Sequence, residues 1–161
     1  MFFSILTRCG APGGPRFFAF LNKMLAAALL LTGPLSPRPA TARPPLPTIT
    51  LHVGGHTIRV EHAATPETLR EGLMHRTALA ADTGMLFELG EPDIHCFWMK
   101  NTLIPLSIAF IDRDGRIVDI QDMRPQSLDP HCPTAPITRA LEMNLGWFAR
   151  AGVRTGAHVT R

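Results

Sequence analysis

The sequence predicts a β-rich α+β domain, a compact and partly closed barrel-like sheet with two short helices. Three observations carry this. Short runs that alternate apolar and polar residues recur along residues 49–161. Tight-turn dipeptides, Gly54-Gly55 and Asp114-Gly115, separate several of them. Only two stretches begin as helices do, at Thr65-Pro66 and at Asn144. Many short strands and few helices favour a curled sheet over a long open one.

The elements follow in order. "ITLHVGGHTIRVEHA", Ile49 to Ala63, splits at its Gly-Gly pair into a hairpin. Thr65 is an N-cap and Pro66 a first helical residue, with Leu69 and Leu73 four apart on one stripe. "GMLFEL", Gly84 to Leu89, is a short strand. "IHCFWMKNTLIPLSIAFID" reads as extended but interrupted at Asn101 and Pro105. In its second half Ile104, Leu106, Ile108 and Phe110 share an inward face. Asp112 to Gly115 turns the chain into "RIVDIQDM", with Val118 and Ile120 expected inward. A loop holding Pro125, Pro130, Pro133 and Pro136 leads to the strand "ITRALEM". Asn144 is expected to cap "LGWFARA", which Gly152 closes, and "AHVT" is a last short strand.

The elements "REGLMHR", "GMLFEL", "FWMKNTLIPLSIAFID", "DGRIV" and "ALEMNLGW", in that order, resemble the bacterial and archaeal family catalogued as domain of unknown function 192. The resemblance runs from about Ile49 to Val159, and the combination of "FWMKNT" with "LE-x-N-x-GW" is its most specific part. It implies a single β-rich domain, often exported, with no established biochemical role. Ser107 departs from the pattern, because an acid is common there in the family. A carboxylate role at that position does not transfer to this chain.

The front of the chain reads differently. Residues 1–42 carry Arg8, Arg16, Lys23 and Arg38 and no acid. The apolar run "MLAAALLL", Gly33-Pro34 and the small-residue site Ala40-Thr41-Ala42 follow. This order predicts a cleavable secretory signal peptide over 1–42, and hence a periplasmic or secreted protein. The competing description is a basic tail on a cytosolic protein, and translation could also start nearer Met24. The apolar run is shorter than the roughly 20 residues of a membrane span, so no permanent anchor is expected. Cys9 precedes that run, which excludes it as a lipid attachment site. Residues 43–48 form a proline-rich lead-in, expected to be extended and poorly ordered, and 49–161 a single domain.

The whole chain has a formal charge of +3, but residues 43–161 hold twelve Lys+Arg against thirteen Asp+Glu. The basic excess belongs to the leader, so no nucleic-acid partner is expected.

Lys100 is the one lysine of residues 43–161, every other cation there being arginine. On a strand it would share a side with Trp98, opposite Met99 and Asn101. A compact ammonium beside aromatic walls suits a carboxylate or phosphate, or an internal acid such as Glu142. The competing role is a structural ion pair or a side chain that snorkels to water. Asn101 can donate to a ligand, but Asn and Thr side chains at such a place more often stabilise a turn or bulge. Arg76 either binds an anion or neutralises the end of the first helix. Glu142, in an apolar strand, is expected to pair with Lys100 or Arg76. The candidate ligand-binding residues are therefore Arg76, Trp98, Lys100, Asn101, Glu142 and Asn144.

Cys96 and Cys132 form an even pair in an exported chain and predict a disulfide. His95-Cys96 and His131-Cys132 also offer imidazole and thiolate to copper or zinc, but neighbouring side chains on a strand diverge. Neither a metal site nor a cofactor is expected. The acids around residues 112–122 lack the spacing of a calcium loop, and hydrolase, phosphate-loop and zinc-protease motifs are missing. Three functions stay open. One is a binding or accessory domain holding a small anionic or carbohydrate-like ligand, or a peptide, near Trp98 and Lys100. Another is a cell-envelope enzyme with a Lys100/Glu142 acid-base pair. The third is a structural partner of an envelope complex.

Overall fold

The computed structural model describes residues 45–161. The expected leader, 1–42, and the first two residues of the lead-in lie outside the described residues. Seven strands form one sheet: β1 Thr48–Val53, β2 His56–Ala63, β3 Gly84–Asp93, β4 Leu106–Ile111, β5 Ile117–Met123, β6 Ile137–Asn144 and β7 Val159–Thr160. Two short helices, α1 Pro66–Glu71 and α2 Trp147–Arg150, accompany them. The strand order is β5-β4-β6-β3-β2-β1-β7. β2 and β3 pair in parallel; the other neighbours are antiparallel.

The sheet curls until its edges touch. Arg116 bridges His158, the Ile117 amide donates to Ala157 O at 2.8 Å, and Val159 N donates to Gly115 O at 2.8 Å. This is the partly closed, β-rich architecture expected from the alternating runs.

Local chemistry explains the hairpins and α1. Gly54 and Gly55 take positive φ between β1 and β2, as does Gly115 between β4 and β5. At α1, Thr65 Oγ1 accepts from Thr68 N, and Thr68 Oγ1 accepts in return from Thr65 N at 2.9 Å. This reciprocal cap is worth about 1 kcal/mol.

Several elements differ from expectation. The cap of α2 is Gly146 in left-handed geometry, with no side-chain cap. Asn144 instead donates from Nδ2 to Leu79 O at 3.3 Å and Ala80 O at 2.9 Å, pinning the loop before β3. The β3 strand runs on to Asp93 through an irregularity after Glu88. Residues 94–103 are not a sheet strand, because Phe97 alone bridges to His131. In β5, Ile117 and Met123 are the buried ends while Val118 and Ile120 are half-buried. A register shift opposite Phe110 and Ile111 breaks the simple alternation there. The lead-in is held at its end: Leu46 packs on the core and Pro47 O accepts from His62 N at 2.9 Å.

The sheet has a core on each face. One contains Leu86, Ala109, Leu141, Met143, Trp147 and Phe148. The other contains Met85, Phe87, Met99, Ile108, Phe110 and Ala140. Every residue of β4 is buried, so the expected inward face of Ile104 to Phe110 is only half of its packing.

Ser107 is fully buried on β4. Its hydroxyl donates to the Asp122 carboxylate across the β4–β5 pair and accepts from Gly146 N at 2.8 Å. The acid at this place in the sheet thus comes from the neighbouring strand.

Gly84 lies against β6 so closely that an added Cβ would collide with the Glu142 carbonyl oxygen and Met143 Sδ. Backbone cannot yield as a flexible side chain does. Gly84→Ala should therefore destabilise by about 2 kcal/mol or more. Thr65→Ala should cost only about 1 kcal/mol. Urea denaturation of both variants beside the parent checks the order.

Candidate functional site

The second core is covered by the end of α1 with the turn after it, Leu69–Met74, and by the irregular segment Ile94–Thr102, and a cleft of about 540 Å³ lies between them. A volume of that size suits a small organic ligand.

The Ile94–Thr102 segment works as a strap. Phe97 exchanges backbone hydrogen bonds with His131 at 2.8 and 2.7 Å, and Met99 N donates to Ser127 O at 3.1 Å. Beside these bonds Cys96 and Cys132 form a disulfide. Closing about 37 residues, it stabilises by ~3.8 kcal/mol in the chain-entropy account. Phe97 stands edge-on to Phe87 and Phe110, with centroids 5.3 and 6.0 Å away. Met99 is buried, while Trp98 and Lys100 on either side of it are exposed.

The strap then turns. Thr102 N donates to Met99 O at 3.0 Å, with Lys100 and Asn101 at the corner and Asn101 at φ 60°. A positive φ at that corner position defines a type II turn, which asparagine tolerates. Asn101 is thus exposed at the corner rather than turned inward with Met99. Its carbonyl accepts from His75 N at 2.8 Å, and Thr102 O accepts from Gln126 N at 3.0 Å. His75 and Gln126 are themselves at φ 63° and 59°. Three left-handed residues on three segments therefore fix the corner carrying Lys100, the kind of over-determined backbone found at functional sites.

The floor is the unusual part. Glu142 lies on β6 between Met85 of β3 and Ile108 of β4, on the face of the second core. It is 5% exposed, and so is Thr102. Among the described residues neither side chain has a hydrogen-bond or ionic partner, yet no buried side-chain oxygen is sealed off unpaired. Their oxygens therefore reach the cleft surface. Burial holds the Glu142 carboxyl up at about 8, so it is protonated at neutral pH.

Of the sequence-predicted residues, Trp98, Lys100, Asn101 and Glu142 line this cleft. Arg76 does not. It makes a two-pronged ion pair with Glu61 at 2.8 and 2.7 Å and borders neighbouring hollows instead. That position also rules out the helix-end role, since α1 stops at Glu71. The expected pairing of Glu142 with Lys100 or Arg76 is not formed, and Lys100 has no ion pair among the described residues. Asn144 is committed to the 79–80 carbonyls. Sequence reasoning gave Thr102 only a turn role and missed its place on the floor. The signal was its position after the Lys-Asn corner.

The sulfurs of Cys96 and Cys132 are consumed in the disulfide, which removes the thiolates of the copper or zinc reading. Among the described residues no three His, Cys, Asp or Glu converge on one point, and no helix is long and apolar enough to cross a membrane.

The profile of DUF192, described as uncharacterized ACR, matches residues 49–161. The chain belongs to this family. Two crystal structures are similar to it. One, from Sinorhizobium meliloti 1021 and described as a proposed transcription regulator, is 34% identical with a TM-score of 0.70. That match covers 73% of this chain and 96% of the other. A protein of unknown function from Novosphingobium aromaticivorans DSM 12444 is 35% identical, also at 0.70, over 77% of this chain and 90% of its own. No curated protein matches. Membership of DUF192 brings no established activity.

The raised carboxyl has a thermodynamic consequence. The unfolded chain ionises Glu142 near the ordinary glutamate value of 4.5, whereas the folded chain holds the proton to about 8. The stability contributed by that proton is fully present below 4.5 and is lost as pH rises to 8. Glu142→Gln lacks this component. Urea denaturation from pH 5 to 8 should show the parent losing stability relative to the variant by roughly 1 kcal/mol per pH unit.

Proposed function

We propose that this DUF192 protein is an exported accessory domain that binds a small ligand in the cleft over Glu142. The ligand classes in view are an anionic or carbohydrate-like molecule, or a peptide. One observation carries the reading: a carboxyl and a hydroxyl, both about nine-tenths buried or more, lack partners among the described residues and open into a hollow of ligand size. Both oxygens reach the cleft surface, so a ligand's hydrogen bonds can replace those made there by solvent. Trp98 and Lys100, both exposed at the mouth, supply a stacking face and a charge. The leader pattern and the strap disulfide support export. The Sinorhizobium relative's description does not carry over as DNA binding, since residues 43–161 have no basic excess.

A specific observation favours a second reading, that of an envelope enzyme. A cleft carboxyl titrating at about 8 is poised as a general acid at neutral pH. The Lys100/Glu142 pair conceived from the sequence is not formed, so Glu142 would act alone.

Native purification of residues 43–161 followed by mass spectrometry should reveal a co-purifying small molecule. Lys100→Met and Trp98→Ala should lose it while changing stability by no more than about 0.5 kcal/mol, because both side chains are exposed. Ligand-free protein from the parent and both variants would reject the binding reading.

A further inference from the structure

We propose that the cleft is built for a carboxylate with an apolar body, the Glu142 carboxyl O–H and the Thr102 hydroxyl donating to its oxygens. This rests on the cleft being a binding site and names the ligand class it takes.

The floor has the right polarity. Thr102 can donate, and Glu142 retains its proton at neutral pH, so both groups offer hydrogen to an incoming acceptor. A neutral carboxylic acid that donates to an anionic oxygen is an established way to bind one away from water. With the ligand seated, two carboxyls share one proton and carry one negative charge between them.

The surroundings point the same way. Arg70 and Glu71 come from α1, and His95 and Lys100 from the strap, while the neighbours of Glu142 on β3 and β4 are Met85 and Ile108. Lys100 stands at the mouth with no ion pair among the described residues, so its charge is available to an arriving anion. An ammonium ligand would have to pass that charge and strip the Glu142 proton in an apolar setting. The walls, Leu73, Phe87, Leu89 and Phe97, offer hydrocarbon rather than hydrogen bonds. They suit an apolar body better than a ring of hydroxyls.

A matched set of probes decides it: phenylacetate, phenylacetamide and phenethylamine, titrated into isotope-labelled protein and followed by amide chemical shifts. Phenylacetate should bind best at pH 7, moving Leu73, Thr102 and Met143. It should weaken on the order of tenfold by pH 9.3, as the fraction of protein holding the Glu142 proton falls. Glu142→Gln keeps a donor at the floor, so it should bind phenylacetate within a few-fold of the parent and lose that pH slope. Any slope left in the variant belongs to His95, Lys100 or the α1 charges.

Preferential binding of the amine or the amide in the cleft would overturn the carboxylate assignment and leave the site standing. An unchanged slope in Glu142→Gln would do the same. Phenylacetate shifts confined to residues away from the cleft would also overturn it. Failure of all three probes to bind would overturn the carboxylate assignment, while the wider cleft reading stands or falls with the native mass spectrometry.

Discussion

A strand with a hydrophobic core on each face leaves its polar side chains nowhere to go, and β6 is such a strand. It lies between β3 and β4, with Leu141 and Met143 in one core and Ile137 and Ala140 in the other. The packing holds the sheet together only while those positions stay apolar. Glu142 breaks the rule within β6, and among the described residues it does so without the ionic partner that normally accompanies a buried acid. The chain accommodates it by leaving the covering layer incomplete above it. The cleft is thus tied to the same residue that violates the core.

The covering layer is held by local devices rather than by sheet pairing. The strap is attached through one bridge, one disulfide and one inserted phenylalanine, and its corner by backbone bonds to two other left-handed residues. Each device can hold Lys100 at the mouth without covering the floor. A regular strand there would have paired along its length and filled the space. Irregular backbone is where sites are usually built, and here the irregularity has identifiable causes.

Much of the fold was legible from the chain because its signals are local. Gly54-Gly55, Asp114-Gly115 and Thr65-Pro66 act through φ preferences and capping within a few residues, and each marked a real turn or helix start. Side-chain partnerships were much less legible, because they depend on which segments fold together. Arg76 found Glu61 on β2, fifteen positions earlier in the chain, and Asn144 found carbonyls some 65 positions away. Nothing local marks such choices. The strap illustrates both limits: the alternation of Trp98, Met99 and Lys100 was readable, whereas its detachment from the sheet was not. Glu142 was singled out correctly as an anomaly, but its environment could not be known until β3 and β4 flanked it.

The two ends of the domain meet in the sheet, since β7 at the last residues pairs with β1 at the first. The same final residues reach across to the turn before β5. The curl therefore cannot lock until the carboxy-terminal tail is present. A polypeptide emerging from the ribosome amino end first must wait for its final few residues to complete the ring of contacts.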